Sequence, residues 1–127
     1  MARKLEEYQQ RQKDLSLLGK PLARRAKSKC ELCGDATSLK IYELNPQTDV
    51  IPERCCMLCD VCSIQLASGN LDPNHWYCLN DAMWSEIPVV QALSFKLLNQ
   101  LQTDHGWAAD LLEQMYIDEE TKGLLEA

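Results

Sequence analysis

The chain has 127 residues, 46% hydrophobic and 25% charged, a composition that suits one small domain with helical extensions and excludes a disordered polymer. No run approaches the roughly 20 apolar residues of a membrane-spanning helix, and the opening Met1-Ala2-Arg3-Lys4-Leu5-Glu6-Glu7 lacks a signal peptide's apolar core, which points to a cytoplasmic protein. Within a net charge of −6, residues 1–29 carry nine Lys or Arg against three acids, so a basic arm precedes an acidic body that would repel phosphate backbones.

In chain order, residues 3–18 read as a helix with apolar positions at Leu5, Tyr8, Leu15 and Leu18, stopped by Gly19. Pro21 suits the first turn of a short basic helix over 22–27. Leu39-Lys40-Ile41-Tyr42-Glu43-Leu44 alternates as a half-buried strand does; Asn45-Pro46 ends it, and 47–53 reads as a polar loop. Residues 59–67 suit a short helix closed by Gly69-Asn70, and Asp72-Pro73-Asn74 reads as a turn. Ser85 reads as the N-cap of an amphipathic helix over 86–103, with Val89, Leu93, Leu97 and Leu101 at intervals of four. His105-Gly106 breaks it, Trp107, Leu111, Leu112 and Met115 outline a second helix, and Asp118 caps a last short one through Leu125. The chain thus divides into a basic helical arm (1–29), a finger with a Trp-rich loop (30–84) and a helical hairpin (85–127).

Seven cysteines are many for this length, and a reducing setting disfavours a disulfide framework. Cys30-Glu31-Leu32-Cys33 and Cys59-Asp60-Val61-Cys62 are two C-x-x-C pairs, each able to bend round one metal, with Gly34 supplying the permissive backbone after the first. Four thiolates match tetrahedral zinc and leave no open position, so the expected site is structural, with one zinc per chain. Cys56-Met57-Leu58-Cys59 is also a C-x-x-C, which leaves Cys56 as an alternative to Cys62; Cys55 and Cys78 then read as buried small hydrophobes.

Asn74 to Asp81 concentrates reactive side-chain types in an expected loop. His75, Trp76, Cys78, Asn80, Asp81 and Trp84 form a candidate partner or ligand site, with His75 and Cys78 spaced to share a metal. The plainer reading buries Trp76 and Trp84, lets Asn80 and Asp81 cap turns, and bonds His75 to a backbone carbonyl.

From Cys30 to Leu66 the pattern resembles the treble-clef zinc scaffold of HNH nucleases, but with Tyr42-Glu43 at the His-His place, Arg54 near the Asn place and Ser63 where a His would follow the second pair. The resemblance implies a scaffold retained with its catalytic residues substituted. Ser28-Lys29-Cys30-Glu31-Leu32-Cys33-Gly34, the run from Asp72 to Glu86, Gly106-Trp107 with Asp110-Leu111-Leu112, and Asp118-Glu119-Glu120-Thr121 resemble the PhnA family, named for an alkylphosphonate-utilisation operon, in its amino-terminal zinc-finger region. That family usually continues into a small carboxy-terminal β domain, so the resemblance implies a stand-alone version or a piece of a longer protein.

The expectation is a small α+β fold: a treble-clef-like finger of β-hairpin plus helix, an amino-terminal helical arm and a carboxy-terminal helical hairpin. The expected function is non-catalytic zinc binding for protein interaction. The alternatives are a nucleic-acid-binding remnant using residues 22–29, with Arg24, Arg25, Lys27 and Lys29 as contacts, and an enzyme acting on a small phosphonate. The last would need a two-metal site rich in Asp and His, which two histidines make hard to build.

Overall fold

A computed structural model describes residues 2–45 and 50–125 and shows a small α+β fold with one two-stranded antiparallel sheet among the described residues. Helix α1 (Ala2–Leu17) ends one residue before the expected Leu18, and α2 (Gly19–Ala26) starts at the glycine itself, three residues earlier than expected. Pro21 falls in the first turn of α2, where backbone donors lack helical partners in any case. The helix closes with Lys27 and Ser28 in the left-handed region (φ 56° and 57°), and the Ser28 amide donates to the Ala23 carbonyl at 2.8 Å.

Strand β1 (Lys40–Glu43) is the expected strand, shorter by one residue at each end. Pro46 and residues 47–49 of the expected loop lie outside the described residues; Pro52–Arg54 forms a single 3-10 turn. Strand β2 (Cys55–Leu58) follows, with Ile41 opposite Met57 and Tyr42 opposite Cys56. All four β2 residues are buried, because the strand is covered on both faces. Cys55 and Met57 pack with Leu22 of α2 and Ile41, while Cys56 and Leu58 face the main core.

Helix α3 (Asp60–Ser68) ends at Gly69, whose φ of 76° suits the left-handed cap position that glycine takes at least cost. The stretch expected to be a loop is helical. Asp72 caps α4 (Pro73–Trp76) by accepting the Asn74 amide, and α5 (Leu79–Ala82) follows within three residues. Helix α6 (Pro88–Leu101) begins two residues later than expected: the Ser85 hydroxyl accepts the Ile87 amide, and Pro88 takes the first helical position. Val89, Val90, Leu93, Leu97 and Leu98 of α6 are buried against Leu44, Leu58, Trp76, Leu79 and Met83.

The expected carboxy-terminal hairpin is a three-helix arrangement, because α7 (Gly106–Gln114) and α8 (Glu119–Leu125) both pack on α6. Asp118 does cap α8, accepting the Thr121 amide at 2.8 Å. The far end of α8 is capped from the hairpin. Arg54 donates to the carbonyls of Leu124 (3.1 Å) and Gly123 (3.3 Å), and the Asn45 side chain donates through Nδ2 to the Leu124 carbonyl (3.0 Å).

The arm is fastened to the body by charge as well as by Leu22. Arg11 of α1 forks onto the Glu43 carboxylate, with Nε to Oε1 at 3.1 Å. Arg25 of α2 forks onto Glu31 at 3.0 and 2.7 Å and donates to the Cys55 carbonyl at 2.9 Å. The Glu31 side chain is only 3% exposed, so its charge depends on these donors. Arg25→Ala should cost about 2–4 kcal/mol, somewhat below a fully buried pair because the guanidinium is partly solvated. Arg24→Ala, at an exposed neighbour, should stay within about 0.5 kcal/mol. Urea unfolding of the two metal-loaded variants checks this.

Candidate metal centre

The first cysteine pair sits in a tight turn. Gly34 follows it at φ 84°, a conformation that costs a side-chain-bearing residue free energy, and its amide donates to the Cys30 carbonyl at 2.9 Å. The Cys33 amide points at Cys30 Sγ, 3.5 Å away. The second pair arises where β2 runs into α3. Cys59 occupies the N-cap position with extended backbone, and Cys62 lies in the first helical turn.

Glu31, between the cysteines of the first pair, holds that turn against β2. Its amide donates to the Met57 carbonyl at 2.8 Å, and its carboxylate accepts the Met57 amide at 2.8 Å. The first turn is thereby set two residues ahead of Cys59. As a result the sulfurs of Cys30, Cys33, Cys59 and Cys62 all lie within 4.8 Å of one another and could hold one metal ion. Cys30 to Cys62 is 3.7 Å and Cys33 to Cys59 is 3.4 Å. Both are far beyond an S–S bond of about 2.05 Å. Both are near the sulfur–sulfur edge of about 3.8 Å that a tetrahedron with Zn–S of about 2.3 Å requires.

The thiols are mutually frustrated without a cation. Cys30 is pulled down to about 4, chiefly by its hydrogen bond with Cys62. That same hydrogen bond pushes Cys62 far up, with burial and the neighbouring sulfurs adding to it. Cys33 is pushed up to about 12, first by burial. The Cys30 thiolate therefore opposes ionisation of Cys33 and Cys62, and a bound dication would remove the conflict.

Of the two arrangements open in the sequence, the structure gathers the one with Cys62. Cys56 is fully buried on β2 opposite Tyr42, where burial raises its thiol well above the ordinary value. Cys55 Sγ points at the Ile51 carbonyl (3.4 Å), and burial raises it to about 11. Cys78 is half-buried, raised to about 12 first by burial, and lines a shallow groove with Cys30, Cys33 and Asp81.

Among the described residues the one converging group of three or more ligands is the four cysteines, and His75 and Cys78 belong to no such group. The hydrogen bond His75 makes among the described residues is not to a backbone carbonyl: its Nε2 lies 3.2 Å from Cys62 Sγ. Trp76 is fully buried and donates to Gln65 at 2.7 Å, whereas Trp84 is 58% exposed and does not pin the segment. Asn80 and Asp81 are exposed, and no hydrogen bond among the described residues uses their side chains to cap a turn. His105 lies between α6 and α7, its amide donating to the Leu101 carbonyl at 3.0 Å.

Glu43 is held by Arg11, Arg54 caps α8, and the Ser63 hydroxyl is buried with no hydrogen-bond partner among the described residues. In the basic segment Leu22 is buried and Arg25 is engaged, while Arg24, Lys27 and Lys29 are exposed. Sequence reasoning missed Glu31 and Gln65, whose roles depend on partners far along the chain; an acid inside a cysteine pair was the one available hint for Glu31.

Elemental analysis should find one equivalent of metal in the wild type and in Cys56→Ser. Cys62→Ser should retain less than about a tenth of an equivalent after dialysis against a chelator that leaves the other two loaded.

No family model, curated protein or solved structure matches this chain.

Proposed function

We propose that this chain is a non-catalytic zinc module whose four-cysteine centre organises a treble-clef-like finger used for protein interaction, similar to the amino-terminal region of PhnA-family proteins. The observation that carries this reading is the closed set of four sulfurs within 4.8 Å. Four thiolates fill a zinc tetrahedron and leave no site for water or substrate. The order of cysteine turn, hairpin, then helix bearing the second pair also supports the treble-clef comparison. Apolar side chains stand exposed on elements next to the centre: Val61 (46%) and Ile64 (62%) three residues apart on α3, with Tyr77 (53%) and Trp84 (58%) in the following segment. They suit a protein partner better than a phosphate backbone.

The nucleic-acid reading rests on the exposed Arg24, Lys27 and Lys29, with Arg25 already committed to Glu31. A phosphonate-directed reaction has less support, because the Asp and His residues it would use are not gathered among the described residues. Zinc rather than iron should be found, at one per chain. Burial raises Cys33 and the hydrogen bond with Cys30 raises Cys62 above the ordinary thiol range, so loading should displace at least those two protons. Apparent affinity should therefore fall by at least about a hundredfold for each pH unit of acidification near neutrality. Competition with a chromogenic chelator across pH measures this, and a pH-independent affinity would refute the thiolate site.

Fluorescence anisotropy with duplex DNA at low ionic strength separates the two binding readings. We expect no binding; affinity that falls steeply with salt and weakens in Arg24→Ala and Lys27→Ala would favour nucleic acid instead.

A further inference from the structure

We propose that His75 is a positioning residue of the metal centre, donating its Nε2–H to the Cys62 thiolate and covering that sulfur against attack. This deepens the zinc-module reading and rests on it.

The geometry is short and enclosed. Nε2 of His75 lies 3.2 Å from Sγ of Cys62, which has no exposed surface. A metal-bound thiolate carries no proton and can only accept. A neutral imidazole has one donor nitrogen, so the contact is favourable only in the tautomer protonated at Nε2. Metal binding at Cys62 would thus select that tautomer. The donated proton draws charge from one sulfur of a crowded four-thiolate set, which stabilises the loaded state.

The ring is placed by its surroundings, not by a loose loop. Gln65 lies three residues after Cys62 on the same helix. Its Oε1 accepts the Asp72 amide at 2.8 Å and the Trp76 indole N–H at 2.7 Å. Asp72 in turn accepts the Asn74 amide at 3.0 Å, starting α4 at Pro73. Buried Trp76 then meets His75 edge to face, with ring centres 4.8 Å apart at 81°. Helix α3 therefore supplies both the ligand and, one turn on, the residue that aims the histidine back at it. A ring placed merely to fill space would not need its polar edge on the sulfur. A fifth ligand is not required, since four sulfurs complete the tetrahedron.

The test uses the full chain loaded with metal. In the cadmium-113 form, the imidazole nitrogen spectrum should show Nε2 protonated and coupled to the metal through Cys62. In the zinc form, His75→Leu should release metal to a chelator about 10- to 100-fold faster, the range typical of lost second-layer partners. His75→Gln, which keeps an N–H donor, should recover part of the loss. In the cobalt form, the thiolate-to-metal absorption should shift in His75→Leu and shift less in His75→Gln. An unprotonated Nε2 in the cadmium form would overturn the proposal, as would wild-type release and spectra in His75→Leu. Should His75→Leu fail to fold, the wild-type cadmium spectrum still decides. A chain that takes up no metal defeats the zinc-module reading itself, whereas metal held with His75 silent defeats this inference alone.

Discussion

Four thiols crowded within 4.8 Å are the constraint on which the rest of this molecule turns. Left alone they oppose one another: the first to ionise raises the cost of ionising the rest, and three of the four are buried. A dication reverses the sign of that interaction. It also ties sulfurs 26 and 32 positions apart in the chain, closing loops whose entropy a small core would otherwise have to offset. The hairpin, α3 and the segment after it hang from this knot.

Around it the hairpin acts as a partition. One face of β2 packs on the arm through Leu22, and the other packs on α6 through Leu58. Charged side chains join the two halves, Arg25 to Glu31 on one side and Arg54 to the end of α8 on the other. Glu43 holds the arm and Arg54 holds the last helix.

What could be read in advance follows from how local the information is. Cysteine spacing is local, and the two pairs that the sequence singles out are the ones the structure brings together. Helix α6 was legible because one apolar stripe repeats over four turns. Strand β2 was not, because a strand buried on both faces loses the alternation that marks a strand, and Cys55-Cys56-Met57-Leu58 reads as a plain apolar run. Helices α4 and α5 are four residues each, too short for a period to show. The exposure of Trp84 and the contact of His75 with Cys62 depend on how Gln65 places α4 and on what packs beside it. That information is spread over several elements and no short window contains it.

Glu31 has a consequence for the behaviour of the chain in a crowded solution. Strand β2 is short and apolar, and its side away from β1 would present open backbone groups to any other strand. Those groups are taken. The Met57 amide and carbonyl are both engaged by Glu31, the Cys55 carbonyl by Arg25, and the Cys55 amide by Pro52. The cysteine turn that shapes the metal centre thus also seals a sheet edge, so loss of the metal would open the molecule to strand addition and aggregation as well as to unfolding.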